Sequence, residues 1–106
     1  MKLGLVIYST DAETVWNALR LGIFARQQGD QVRAFLLANG VECTQHNTPP
    51  FAVTDQLQAF ADAGGRILAC GTCLQIRQQT GSELCPLSTL RDLYELVREC
   101  DKVLTC

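Results

Sequence analysis

Two cysteines spaced one helical turn apart, in Cys70-Gly71-Thr72-Cys73, are the residues of this chain best suited to covalent chemistry. They follow the apolar run Arg66-Ile67-Leu68-Ala69 and pass at once into a helical pattern, which predicts a buried strand over 66–69 and a helix over 71–79. Cys70 then stands at the carboxyl edge of a sheet and at a helix amino terminus. Unpaired N–H groups and the positive end of the macrodipole favour an anion there, which would lower a cysteine pKa from its free value of about 8.5. The pair has three chemical uses: a dithiol–disulfide couple, half of a zinc site, or a nucleophile with a resolving partner. The non-chemical alternative is a buried small hydrophobe, which is what most free cysteines are. Zinc takes four ligands, usually from two paired motifs, and the chain has no second CxxC or CxxH. No resident metal and no cofactor are therefore expected.

Length and composition bound what surrounds this motif. The chain has 106 residues, of which 47% are hydrophobic and 19% charged, so it should fold as a single domain over residues 1–106. The formal charge of −2 and the scattered arginines offer no basic patch for a phosphate backbone, so nucleic acid is not an expected partner. The apolar run Leu3 to Ile7 is too short for a signal-peptide core, and no stretch is long enough to span a bilayer, so neither secretion nor a membrane is expected. The reading is a cytoplasmic protein whose six cysteines stay reduced.

The elements that must hold the cysteines read in order along the chain. Lys2 to Tyr8 fits a strand buried on both faces. Thr10 and Glu13 read as a capping box for a helix whose inward stripe is Val15, Trp16, Leu19, Gly22 and Ile23, ended by Gly29. Gln31 to Leu37 is a second strand, and Ala38-Asn39-Gly40 a turn at its carboxyl end. Periodicity fails from Val41 to Phe51, where Asn47-Thr48-Pro49-Pro50 indicates an irregular surface loop. A helix over 55–63, capped by Thr54, precedes the strand that leads into Cys70. A last helix, capped by Ser88 and striped by Leu90, Leu93, Tyr94 and Val97, leads to a strand at Lys102 to Cys106.

Alternating strands and helices imply right-handed crossovers and a three-layer α/β/α sandwich with a mostly parallel sheet of about four strands. Ligands of such sheets bind outside the carboxyl ends of the strands, near the switch point, and Ser9, Asn39 and Cys70 should all lie along that edge. Gly71 and Thr72 join them as candidate binding residues at the start of the helix. Arg77, one turn beyond Cys73, could supply positive potential to the pair, with a solvated surface arginine as the preferred reading. His46, the only histidine, has no recognisable partner, which argues against histidine-assisted catalysis. Cys43 and Cys85 fall in loops flanking the same edge, while Cys100 and Cys106 read as packing residues.

Several segments together resemble the DsrE/TusD-like (DsrE/DsrF-like) sulfur-relay family. They are the strand ending in Cys70, Val6 to Asp11, Leu36-Leu37-Ala38-Asn39-Gly40-Val41, Leu87-Ser88-Thr89-Leu90, and Cys100-Asp101-Lys102-Val103-Leu104. The resemblance spans nearly the whole chain. It implies a small α/β fold of flavodoxin-related topology, assembly into trimers or hexamers, and a cysteine after the central strand that carries sulfur as a persulfide. By position that cysteine is Cys70. The sulfur donors and acceptors it implies are other proteins. Cys73 is additional to what the family needs, and the longer loops of its heteromeric members are missing, which points to a homo-oligomer. The expected function is to receive sulfane sulfur on Cys70 and yield it to an acceptor thiol, with Cys73 as the resolving thiol. A dithiol redox protein using Cys70 and Cys73, or a non-catalytic oligomeric binding module, are the alternatives.

Overall fold

A computed structural model describes residues 1–106. Strand β1 (Lys2–Ile7) is buried along all but its first residue, as a strand covered on both faces must be. Gly4 faces Leu96 and Cys100, whereas its neighbour Leu5 faces Gly22, so successive residues of β1 meet opposite layers. On the Leu5 side lie α1 (Ala12–Gln27) and α2 (Val53–Asp62), which pack on each other. On the Gly4 side lies α4 (Leu90–Glu99). Three layers result, with β2 (Gln31–Leu36), β3 (Arg66–Cys70), β4 (Leu87–Ser88) and β5 (Lys102–Thr105) completing the sheet.

The sheet has five strands, all parallel, in the order β4-β3-β2-β1-β5. The strand beyond the expected four is β4. Its two residues are too few to show alternation, so the sequence shows there only a proline turn and a cap. Walking the chain from β1 to β4 moves steadily one way, and β5 then returns to the far side of β1. The switch point therefore lies between β1 and β5, not beside Cys70 as the edge argument supposed.

Helix ends differ from the sequence reading in instructive ways. The α1 cap is Asp11, whose carboxylate accepts from the Thr14 N–H at 3.0 Å and the Thr14 hydroxyl at 2.7 Å; those bonds hold Asp11 below the ordinary carboxylate range. At α2, Thr54 lies inside the first turn and Asn47, from the preceding loop, accepts its N–H at 2.9 Å. At α4, Thr89 is the cap, and its N–H donates to the Asp92 carboxylate at 2.8 Å.

Of the stripe Leu90, Leu93, Tyr94 and Val97, Leu93 is half-buried against the core whereas Leu90, Tyr94 and Val97 are exposed, and Leu96 is the residue of α4 that is completely buried. The helix has two apolar faces, and periodicity picks out the longer of them. Trp16 is half-buried instead of lying in the core. It meets Phe51 edge-on at 5.6 Å, with the Arg20 guanidinium 5.5 Å from its ring. No helix is long and apolar enough to cross a membrane.

Candidate functional site

The site is built where β3 turns into a very short helix, α3 (Gly71–Ile76). The strand runs one residue further than the sequence reading and includes Cys70, which then caps α3. The helix stops at Ile76 and not at Gln79, because Gln78 adopts a left-handed conformation at φ 55°. Cys70 Sγ accepts a hydrogen bond from the Cys73 N–H at 3.4 Å. The two sulfurs of the motif thus share one helical turn, as the spacing predicts, and both are free thiols.

The electrostatics differ from the sequence expectation. Burial pushes the Cys70 thiol above its ordinary value, and the Cys73 thiol beside it acts in the same direction; the N–H groups of Cys73 and Thr72 pull the other way without cancelling this. A six-residue helix carries too little aligned dipole to outweigh desolvation. The resting group is a protonated thiol. Exposure does not set it apart, since Cys70 retains 8% of its surface and Cys85 retains 9%; what distinguishes it is the Cys73 N–H directed at its sulfur.

A 3-10 helix at Ala38–Gln45 occupies part of the segment expected to be an irregular loop. Its three-residue repeat buries Gly40, Val41 and Cys43, a periodicity that neither a strand nor an α-helix template detects. Gly40 is required by contact: a Cβ there would lie 2.0 Å from the Ile7 carbonyl oxygen. With this helix seated against the end of β1, its first residue, Ala38, sits at φ 52° and donates its N–H to Cys73 Sγ at 3.3 Å.

Arg77 holds the two helices together. Its Nη1 donates to the Cys73 carbonyl at 3.1 Å and its Nη2 to Asn39 Oδ1 at 2.7 Å, while its Nε lies 3.3 Å from a Glu42 carboxylate oxygen. The arginine read as a solvated surface group is three-quarters enclosed, its side chain 22% exposed. Sequence reasoning missed Ala38, Glu42 and Arg77. The only signal for Arg77 was its place one turn after Cys73, whose carbonyl it bonds; its other two partners, Asn39 and Glu42, come from a distant segment.

The remaining predicted residues separate into those near the pair and those away from it. Asn39 reaches the site, but through Arg77. Gly71 and Thr72 line a groove of about 710 Å³ with Gln75, Gln78, Gln79 and Thr80, and no charged side chain borders it. Ser9 lies beyond β1, two strands from β3 and hence ~10 Å away by strand spacing, where it accepts from the Asp11 N–H. Cys43 and Cys85 are buried, and burial raises their thiols to about 12 and about 11, which makes both inert. Cys100 packs beside Gly4, Cys106 continues the β1 pairing through its N–H to Val6, and His46 is exposed. No cluster of three or more His, Cys, Asp or Glu side chains could hold a metal ion.

A profile of the DsrE/DsrF-like family matches residues 1–106. The chain belongs to the DsrE/DsrF-like family. Two archaeal relatives agree in extent. An uncharacterized protein of Methanocaldococcus jannaschii is 32% identical over 99 residues, covering 88% of this chain and 87% of its own. One from Methanopyrus kandleri is 30% identical over 98 residues, covering 87% and 81%. Among solved structures, a conserved protein of unknown function from Bacteroides thetaiotaomicron superposes with a TM-score of 0.75 over 99% of this chain and 94% of its own, at 15% identity. That likeness concerns the fold alone. Family membership supports a sulfur-relay type of role for this DsrE/DsrF-like chain.

Proposed function

We propose that this protein receives sulfane sulfur as a persulfide on Cys70 and passes it to the thiol of an acceptor protein. The observation that supports this most is the position of Cys70: last residue of β3, cap of α3, with an N–H directed at its sulfur and a second thiol one turn on. In the first step the Cys70 thiolate attacks the outer sulfur of a donor persulfide. The donor's S–S bond breaks, Cys70-S-SH forms, and the donor leaves as a thiolate. In the second step an acceptor thiolate attacks the outer sulfur of Cys70-S-SH and restores the Cys70 thiolate. Alternatively the Cys73 thiolate attacks Cys70 Sγ, giving a Cys70–Cys73 disulfide and releasing hydrosulfide, after which a dithiol reductant regenerates the pair.

Because the resting thiol is protonated, docking of a partner must assist its ionisation, and free solvent disulfides and persulfides react slowly with it. This reading places the protein in the cytoplasm, where thiols stay reduced. It also carries assembly into a homotrimer or hexamer, supported by the exposed apolar stripe of Leu90, Tyr94 and Val97.

The test is transfer. Protein loaded by a persulfide donor should pass sulfur to an acceptor thiol, and Cys70→Ser should abolish this. Full transfer by Cys70→Ser would refute the proposal. The redox reading rests on the nearness of Cys70 and Cys73. It requires a reversible disulfide across glutathione buffers, and finding both thiols free throughout would eliminate it.

A further inference from the structure

We infer that Arg77 is a positioning residue for Cys73: it holds the first turn of the 3-10 helix against α3 so that the Ala38 N–H stays aimed at the Cys73 sulfur. The inference rests on the proposal that Cys70 and Cys73 are the working pair.

The argument begins with a donor that the backbone does not supply by default. Ala38 donates its N–H to Cys73 Sγ while holding φ 52°, a left-handed conformation that a residue with a Cβ rarely adopts. Such a conformation persists where its surroundings over-determine it. Gly40 seats the 3-10 helix on β1, Val41 and Cys43 bury its inner side, and Thr54 bonds the Thr44 carbonyl near its far end. Arg77 supplies the attachment of that helix's first turn to α3. Its planar fork joins Cys73's own carbonyl to Asn39, the residue after Ala38, while Glu42, one turn further along the 3-10 helix, accompanies its Nε. The chain leaves Arg77 through Gln78 at φ 55°, so left-handed residues stand on both sides of the clamp. A lysine could keep the charge beside Glu42 but could not bond Cys73 and Asn39 together.

The Ala38 N–H is thereby directed at the sulfur that would resolve a Cys70 persulfide and fixes its orientation beside Cys70. Arg77 acts on that sulfur through Ala38, its own hydrogen bonds going to the Cys73 carbonyl and Asn39.

The test compares Arg77→Gln and Arg77→Lys with the unaltered protein. The rate of iodoacetamide modification at Cys73 near neutral pH, read by peptide mass spectrometry, should fall by about three- to tenfold in both variants, the worth of one hydrogen bond. The Ala38 amide should lose hydrogen-exchange protection in parallel. Modification at Cys70, measured in a Cys73→Ser background, should not change. A structural role alone would loosen the packing and make Cys73 react faster, so an unchanged or increased rate overturns the inference, as does rescue by lysine. If the Arg77 variants melt, Asn39→Ala removes one acceptor of the fork and carries the same comparison. Cys73 reactivity is read without any transfer reaction, so failure here is distinct from failure of the carrier proposal.

Discussion

Raising the pH should unfold this protein through two sulfurs that take no part in the proposed chemistry. Burial holds the Cys43 thiol at about 12 and the Cys85 thiol at about 11, against an ordinary 9.0. The folded state therefore binds these protons more tightly than the unfolded chain, so their contribution is complete below pH 9 and is lost as pH rises toward 11 and 12. Between pH 8 and pH 10 each thiol costs about 1.4 kcal/mol, and together about 3 kcal/mol. For a chain of this length that lowers the melting temperature by roughly 10–20 °C. Urea unfolding followed by circular dichroism at pH 8, 9 and 10 measures the loss directly. Cys85→Ala and Cys43→Ala should each remove a similar share of the pH dependence and the double variant both shares, at the cost of lower stability at pH 8; the remainder comes from Cys70 and Cys106, whose thiols burial also raises. An identical slope in the double variant would refute the reasoning, since it would mean that both sulfurs ionise in the folded protein and could react.

Two further perturbations probe the frame around the site. Gly40→Ala sets a Cβ 2.0 Å from the Ile7 carbonyl oxygen and should destabilise the fold by about 1–3 kcal/mol or more while exposing Cys73 to alkylation; unchanged urea midpoint and Cys73 reactivity would mean that the 3-10 helix is not seated as described. Leu96→Ala removes the one fully buried side chain of α4 and should cost about 2–5 kcal/mol, whereas Tyr94→Glu on the exposed stripe should leave the melting temperature nearly unchanged and reduce the particle mass seen by light scattering. A large loss of stability in Tyr94→Glu would show that the two faces of α4 have been exchanged.

Much of this could be read from residues alone, and what could not has physical causes. The Val6, Phe35 and Leu68 strands announce themselves as continuous apolar runs, and Cys70 falls at a strand-to-helix junction because Gly71 and the helical spacing of Leu74 follow it. Those patterns are local. The 3-10 helix was missed because its period of three is not among the ones that apolar spacing reveals, and β4 because two residues carry no alternation. The caps shifted by a residue, from Thr10 to Asp11 and from Ser88 to Thr89, since adjacent residues of equal capping ability cannot be ranked without geometry. The clamping role of Arg77 was missed for a different reason: its side-chain partners Asn39 and Glu42 lie 38 and 35 positions earlier in the chain, and tertiary contacts of that kind leave no mark on neighbouring spacing. The protonation of Cys70 was misjudged because a dipole argument needs the helix length and the burial of the sulfur, and both emerge only in three dimensions.

The most direct measurement is peptide mass spectrometry after incubating the purified, reduced protein with a persulfide donor and trapping with an alkylating agent. The account predicts one added sulfur on the peptide bearing Cys70, present in Cys73→Ser and absent in Cys70→Ser. Added sulfur that persists in Cys70→Ser, or that appears first on Cys43 or Cys85, would contradict it.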